Sequence, residues 1–218
     1  MKWLLALVSW IMSFFGSSQQ NLDPQLGYVV NQPTIFDQQP TTVDVISPTI
    51  YVTPTKTIKK VLPTKVGNTA PWGVAQQVGE YTWTMKVGQD PTMATPREIL
   101  EALNIYRVRR GSQQLTWNEN LAAFAQSRAD FINSSGTTDE HKGFQDYLDN
   151  QDGFNKLGFS WLGENISIGY RMNGVHLIEW IYAGDKPHDD NQVNNRWNYV
   201  GIGVRGTATA LIFGTGKR

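Results

Sequence analysis

The segment GFSWLGENISIGY, residues 158–170, places a single carboxylate among glycine, aromatic and aliphatic residues. Leu162, Ile166 and Ile168 surround Glu164 in a run that is typical of a buried strand. Burying an unpaired carboxylate costs on the order of several kcal/mol, so Glu164 needs a partner from elsewhere in the chain. By itself, the segment is compatible with either a hydrogen-bonded core glutamate or one member of a functional site.

The composition limits what the rest of the chain can be. The 218 residues carry no net formal charge, and 17% of them are charged while 40% are hydrophobic. These values predict one globular domain plus non-globular sequence, and the scattered lysines and arginines give no reason to expect nucleic-acid binding. Because there is no cysteine, disulfides and lipid-modified cysteines are excluded.

The N-terminal third has the layout of an exported protein. Residues 1–18, MKWLLALVSWIMSFFGSS, contain one lysine, a mostly apolar run and then small residues, which predicts a secretory signal peptide or an uncleaved membrane anchor. Residues 19–69 are rich in Gln, Pro, Thr and Val, which predicts a disordered low-complexity linker. We therefore expect a secreted or extracytoplasmic protein that contacts the membrane only through its N-terminal segment.

The predicted folded domain covers residues 70–218. EYTWTMKV, residues 80–87, alternates in polarity and predicts a strand. TPREILEALNIYRVRRG, residues 95–111, predicts a helix in which Thr95 is the N-cap, Glu98 completes a capping box and Gly111 marks the end. Its apolar face is formed by Ile99, Leu103 and Tyr106.

Further elements follow along the chain. A second helix is predicted between Asn118 and Gly136, and shorter helices are predicted at residues 146–158 and 174–184. WNYVGIGVRGTATALIFGTG, residues 197–216, predicts an antiparallel hairpin with its turn at residues 206–209. Because helices and strands do not alternate strictly, the pattern favours a layered α/β or α+β domain.

The hairpin contains GIGVRG, residues 201–206, which matches the dinucleotide-binding pattern G-x-G-x-x-G. That mechanism requires the glycines to lead into a helix, with an acidic residue some 20 positions further on. Neither feature is present before Arg218. We interpret these glycines as strand and turn positions.

The chain has three histidines. His176 lies in a predicted amphipathic helix and is interpreted as a packed or surface residue. His141 and His188 are both predicted to lie in loops that follow helices, where side chains can converge on a cleft. Each of these two could equally be a structural residue when taken alone.

Several motifs together carry a family resemblance. They are Asn104 with Tyr106 and Arg107, LTWNENLAAFAQSRADF, LGENISIG, Trp180 sixteen residues after Glu164, and HDDNQVNNRWNYVGIGV. In this order, over residues 95–214, they resemble the CAP superfamily of cysteine-rich secretory proteins, antigen 5 and pathogenesis-related 1 proteins, and in particular its bacterial SCP-like branch. The resemblance implies a three-layer α-β-α sandwich for residues 70–218.

The resemblance also implies a cleft lined by two histidines and one or two carboxylates. His141, Glu164 and His188 match these positions, and in some family members they bind a divalent metal, for which zinc suits two imidazoles and one carboxylate. The second family glutamate has no clear match after Trp180. Its candidate substitutes are Asp185, Asp189 and Asp190, with solvated loop acids as the alternative interpretation.

Three functions remain open from the sequence. The first is a secreted or surface-tethered CAP domain whose cleft binds a divalent metal and an extracellular ligand such as a lipid or a cell-envelope component. The second is a metal-dependent hydrolase in which Glu164 is the catalytic residue. The third is a lipid-binding or protein-interaction module in which the cleft is structural.

Overall fold

The computed structural model describes residues 7–11, 30–31 and 70–218. The strands are β1 (Leu7–Ile11), β2 (Val30–Asn31), β3 (Ala75–Gln77), β4 (Thr82–Met85), β5 (Thr116–Trp117), β6 (Phe159–Ile168), β7 (Tyr199–Arg205) and β8 (Ala208–Lys217). The helices are α1 (Pro96–Arg109), α2 (Glu119–Ser135), α3 (Lys142–Asn150), α4 (Gly153–Leu157), α5 (Gly174–His176) and α6 (Lys186–Val193). Apart from β1 and β2, the predicted signal or anchor and the predicted linker lie outside the described residues, and both stay predictions.

One mixed sheet connects the strands in the order β3-β4-β1-β6-β8-β7-β5, and β2 also pairs with β6. The C-terminal hairpin forms the centre of the domain, because β8 pairs antiparallel with both β6 and β7. Its register places both Glu164 and Gly201 opposite Ile212, one on each side. The predicted hairpin is confirmed, with a tighter turn at Gly206 and Thr207 than expected.

Local signals begin and end the two long helices as predicted. The Thr95 hydroxyl accepts the backbone N–H of Glu98, and the Glu98 carboxylate accepts the N–H of Thr95 at 2.7 Å, which is a complete capping box. The Asn118 side chain accepts the N–H of Leu121 at the start of α2. Gly136 ends α2 at φ 71°, a conformation that glycine adopts without steric cost.

Each face of the sheet carries a hydrophobic core. On one face α2 packs against β7 and β8, and the core includes Leu121, Ile132, Phe144, Leu162, Ile166, Ala210 and Ile212. On the other face α1 and the helical segment 174–184 contribute to a second core, which includes Ile99, Leu103, Ile178, Tyr182, Val200, Leu211 and Phe213. The predicted three-layer α-β-α architecture is therefore confirmed.

The helical segment 174–184 differs from the regular amphipathic helix that the sequence predicts. It begins as α5, continues as a π-helical turn at Leu177–Ile181 and ends as a 3-10 turn at Tyr182–Gly184. Leu177, Ile178 and Ile181 are buried. None of the described helices is both long enough and apolar enough to cross a membrane.

The glycines of GIGVRG are strand and turn positions, as interpreted from the sequence. Gly201 and Gly203 allow α2 to pack closely on β7, and Gly206 lies in the hairpin turn. A Cβ atom at Gly201 would lie 2.0 Å from the backbone nitrogen of Ala122, and one at Gly203 would lie 2.3 Å from the carbonyl carbon of Ala125. Helix α2 therefore lies directly on the backbone of β7. Gly206 has φ 58° in the hairpin turn.

Candidate functional site

Glu164 has two partners in the folded domain, and both are close. Its Oε2 lies 2.6 Å from Nδ1 of His141, and its Oε1 accepts a hydrogen bond of 2.7 Å from Nε of Arg128. Glu164 and His141 are completely buried, and the Arg128 side chain is 5% exposed. The carboxylate therefore forms charge-assisted hydrogen bonds on both oxygens, which offsets the cost of its burial.

The sequence analysis missed Arg128, which also binds a second acid. Its Nη1 and Nη2 atoms each donate at 2.8 Å to one carboxylate oxygen of Asp139, a bidentate pair. Arg128 lies on the apolar face of α2, one turn from Phe124 and Ile132. A charged residue at an apolar-face position is the signal that would have identified it.

The electrostatics of the cluster favour an ionised Glu164 and a neutral His141. Burial alone would raise the pKa of Glu164, but Arg128 and His141 outweigh it and hold this pKa below its ordinary value. Burial lowers the pKa of His141, and the hydrogen bond with Glu164 only partly offsets that effect. Burial alone would also lower the pKa of Arg128, but Glu164 and Asp139 raise this pKa above its ordinary value.

His141 is held in an uncommon backbone conformation. It precedes α3 at φ 63°, and Glu140 before it has φ 53°. Non-glycine residues at positive φ carry strain and cluster at functional sites. Among the described residues, Nε2 of His141 is one of three buried side-chain polar atoms that have no hydrogen-bond partner. Such an atom calls for an explanation, and a bound ion is one of the standard ones.

His188 is also buried but does not lie in a loop. It is in the first turn of α6, so the prediction of a helix-exit loop is wrong for this residue. Asp185 is the N-cap of α6: it accepts the backbone N–H of His188 and lies 2.7 Å from Nδ1 of the same ring. The solvated-loop interpretation is therefore wrong for Asp185, which is 7% exposed.

The other two acids of this region have structural partners instead. Asp189 accepts a hydrogen bond of 2.7 Å from the Tyr106 hydroxyl and forms an ion pair of 3.0 Å with Arg110. Asp190 pairs with Lys186 at 2.5 Å, one helical turn away. Asp185 is thus the candidate that lies against a histidine of the predicted cleft.

Two adjacent residues of strand β6 contact the two histidine-bearing segments. Glu164 projects toward α2 and His141, whereas Asn165, one residue along, projects to the opposite face of the sheet. There the Asn165 amide donates to the backbone carbonyl of His188 at 3.1 Å and accepts from the Asn191 side chain at 2.7 Å. Asn165 therefore ties β6 to the backbone and side chains of α6.

The structure thus brings His141 and Glu164 into direct contact and pairs His188 with Asp185. A positive charge on His188 contributes to lowering the pKa of His141, so the two rings lie within electrostatic range of each other. Across the described residues, no group of three or more His, Cys, Asp or Glu side chains is arranged to hold a metal ion. The arrangement consists instead of two imidazoles, each oriented through Nδ1 by a carboxylate.

Solved structures similar to this chain include three bacterial proteins. An extracellular protein containing an SCP domain from Bacillus anthracis str. Ames matches with 24% identity and a TM-score of 0.47, over 54% of this chain and 39% of its own. A cysteine-rich secretory protein from Staphylococcus aureus subsp. aureus Mu50 matches with 22% identity and a TM-score of 0.45, over 63% of this chain and 42% of its own. An outer surface protein from Borrelia burgdorferi matches with 12% identity and a TM-score of 0.45, over 56% of this chain and 92% of its own.

No curated protein matches the chain significantly. The family model for the CAP domain, described as the cysteine-rich secretory protein family, matches residues 100–210. This match covers just over half of the 218 residues and includes α2 to α6, the GEN segment and β7. The chain belongs to the cysteine-rich secretory protein (CAP) family.

Proposed function

We propose that this chain is an extracytoplasmic CAP module whose buried cluster binds a divalent metal ion, with zinc as the first candidate. The proposal rests on one observation, the buried Nε2 atom of His141 that has no hydrogen-bond partner. Metal-binding histidines commonly hold one ring nitrogen against a carboxylate and bind the metal through the other. Glu164 and Asp185 stand in that relation to His141 and His188.

In this proposal the metal ligands are Nε2 of His141 and Nε2 of His188. Glu164 orients His141 rather than binding the ion, because Arg128 and His141 already occupy both of its oxygens. Asp185 orients His188 in the same way. When bound, the ion would supply positive charge and Lewis acidity, and oxygen atoms of water or of an extracellular ligand would complete its coordination shell.

The metal-dependent hydrolase is the less favoured alternative. A general base that works near neutral pH needs a pKa near that range, whereas Arg128 and His141 hold the pKa of Glu164 below its ordinary value. An ion-paired, fully buried carboxylate suits the orientation of His141 better than proton transfer. We therefore propose a binding module, with a lipid or a cell-envelope component as its extracellular ligand.

Metal analysis of protein purified without chelator tests this proposal directly. We expect bound zinc, and an increase in Tm when zinc is added to metal-free protein, because an ion that binds only the folded state stabilises it. His141→Asn with His188→Asn should abolish both effects, whereas His176→Asn, the remaining histidine of the chain, should retain them. A full zinc response in the double variant would contradict the metal site and favour the structural-cleft alternative.

A further inference from the structure

A groove separate from the buried cluster lies between residues 72–88 and the helical segment 174–184. Its volume is about 590 Å³, within the range of small-molecule sites. Trp72 and Lys86 line one side, and Glu179 and Trp180 line the other. None of the residues of the proposed metal site lines the groove, so a ligand could bind here whether or not a metal is bound.

Two exposed tryptophans dominate the lining. Trp72 is 60% exposed and Trp180 is 45% exposed, which is unusual for side chains that gain so much from burial. The Lys86 ammonium lies 4.9 Å from the centre of the Trp72 ring, and the His176 ring stacks on Trp180 with 3.6 Å between ring centres. Each indole is thus supported by a neighbouring side chain and still presents apolar surface to solvent.

Trp180 is held in place before any ligand arrives. Trp180 stacks on the ring of His176. Nδ1 of that ring lies 2.8 Å from Oδ2 of Asp90, and the Asn173 side chain accepts the backbone N–H of His176 at 2.9 Å. Trp180 and Glu179 both belong to the π-helical turn Leu177–Ile181, a rare geometry that occurs frequently at functional sites. Pre-organisation of this kind reduces the entropy lost on binding.

The charges of the groove indicate the chemistry of its ligand. Lys86 and Glu179 contribute one positive and one negative group, and Arg109 binds Glu179 at 3.1 Å. The lining therefore selects for neither an anion nor a cation, but offers hydrogen-bonding groups beside flat aromatic surfaces. In a β-1,4-linked pyranose chain, C–H groups cover the flat ring faces and hydroxyl groups lie along the edges. This ligand matches indole faces flanked by polar side chains.

We propose that the groove between Trp72 and Trp180 binds β-1,4-linked oligosaccharides. One sugar ring stacks on the exposed indole surface of Trp180, and Trp72 contacts the same chain. Glu179 and Lys86 bind its hydroxyl groups. This is a ligand site of its own, distinct from the metal-binding cluster in both location and chemistry.

Calorimetric titration of the full chain with chitohexaose and with cellohexaose tests the proposal. We expect at least one of these oligosaccharides to bind, and isomaltohexaose, whose α-1,6 linkages do not align flat faces, to bind more weakly. Trp180→Ala and Trp72→Ala should each weaken the affinity by about tenfold or more. Trp180→Phe keeps a flat apolar ring and should retain most of the binding.

Phe131→Ala provides the matched control, because Phe131 is an aromatic residue that is 50% exposed on α2, outside the groove. Its affinity for the oligosaccharide should equal that of the unmodified protein. The proposal is overturned if neither β-linked hexasaccharide binds at millimolar concentration, or if the two tryptophan variants bind as well as the Phe131 variant. Tryptophan-dependent binding to phospholipid vesicles, without oligosaccharide binding, would also overturn it and assign the groove to a lipid surface.

Discussion

Nε of Arg128 on α2 donates to Oε1 of Glu164 on β6 at 2.7 Å, across 36 positions of sequence. The same guanidinium binds both carboxylate oxygens of Asp139, in the loop before α3. One cation therefore joins a helix, the central strand and the loop that leads to His141. This arrangement explains how the CAP domain keeps a fully buried carboxylate ionised beside an imidazole.

Replacing Arg128 should destabilise the domain strongly. Arg128→Met leaves Glu164 and Asp139 without their cation, and breaking a buried ion pair in this way costs about 3–5 kcal/mol. Urea denaturation followed by tryptophan fluorescence would measure the loss. Adding Glu164→Gln to Arg128→Met should recover part of it, because one of the orphaned charges is then removed.

Arg205 offers a matched control for that experiment. It forms a single exposed ion pair of 3.7 Å with Asp130, and both side chains are more than half exposed. Exposed pairs contribute little to stability, so Arg205→Met should leave the denaturation midpoint unchanged. Equal losses in the Arg128 and Arg205 variants would contradict a special role for the buried network.

The carboxylates behind the two histidines should affect metal affinity without being ligands. Asp185→Asn retains an N-cap side chain for α6 but loses the negative charge beside His188, and changes of this kind typically weaken metal binding about 10–100-fold. Calorimetric zinc titration of metal-free protein would measure the change. Asp190→Asn, in the same helix but paired with Lys186, should bind zinc like the unmodified protein.

Acid should remove the stabilising effect of zinc. Burial lowers the pKa of His141 in the folded state, so the unfolded chain binds a proton more readily and stability declines as pH falls below about 6.5. Protons also compete with the metal for imidazole nitrogen. The zinc-dependent increase in Tm should be largest at neutral pH and should fade near about pH 5. An increase of equal size at both values would argue against imidazole ligands.

The Asp90–His176 pair should contribute stability only above strongly acidic pH. Although partial burial opposes it, hydrogen bonds from Asn173 and His176 hold the pKa of Asp90 below its ordinary value. A lowered folded-state pKa adds stability that is present above the unfolded pKa of about 3.9 and is lost as pH falls through the folded value. Asp90→Asn should therefore lower Tm at neutral pH, with a difference that narrows below about pH 4.

The control for Asp90→Asn is Glu101→Gln, the same change of carboxylate to amide at an exposed position of α1. Its Tm should follow that of the unmodified protein at every pH. If Asp90→Asn and Glu101→Gln gave the same pH profile, the Asp90–His176 pair would contribute nothing to the fold.

A methyl group at position 201 should disrupt the packing of α2 on the sheet. In Gly201→Ala the new Cβ would lie 2.0 Å from the backbone nitrogen of Ala122, which cannot move without shifting the helix. We expect a loss of about 3 kcal/mol or more in the free energy of unfolding. Gly88→Ala, where no heavy atom lies within 4 Å of the new Cβ, should have no measurable effect. Comparable losses in both would contradict this packing role.

Elements whose signals are local could be predicted from the amino-acid order alone. Thr95 and Glu98 lie three positions apart and form their capping box within a single turn, and Asn118 and Gly136 mark the ends of α2 in the same way. Periodicity predicted the buried face of α1, and two strand-forming runs joined by a turn predicted the C-terminal hairpin. Motif order added the family, and with it the expectation that Glu164 shares a cleft with His141 and His188.

The partner of each buried charge, by contrast, depends on how the layers pack. Arg128 and Glu164 are 36 positions apart, and the strand alternation that points Glu164 toward α2 also places Asn165 against α6. His188 lies beside Asp185 because α6 begins there and Asp185 is its N-cap. The sequence offered solvation in a loop as the alternative for this acid, and the helix start is what buries it. A buried ion pair forms between side chains from separate elements. The partner of each buried charge is therefore determined only when the helices pack against the sheet.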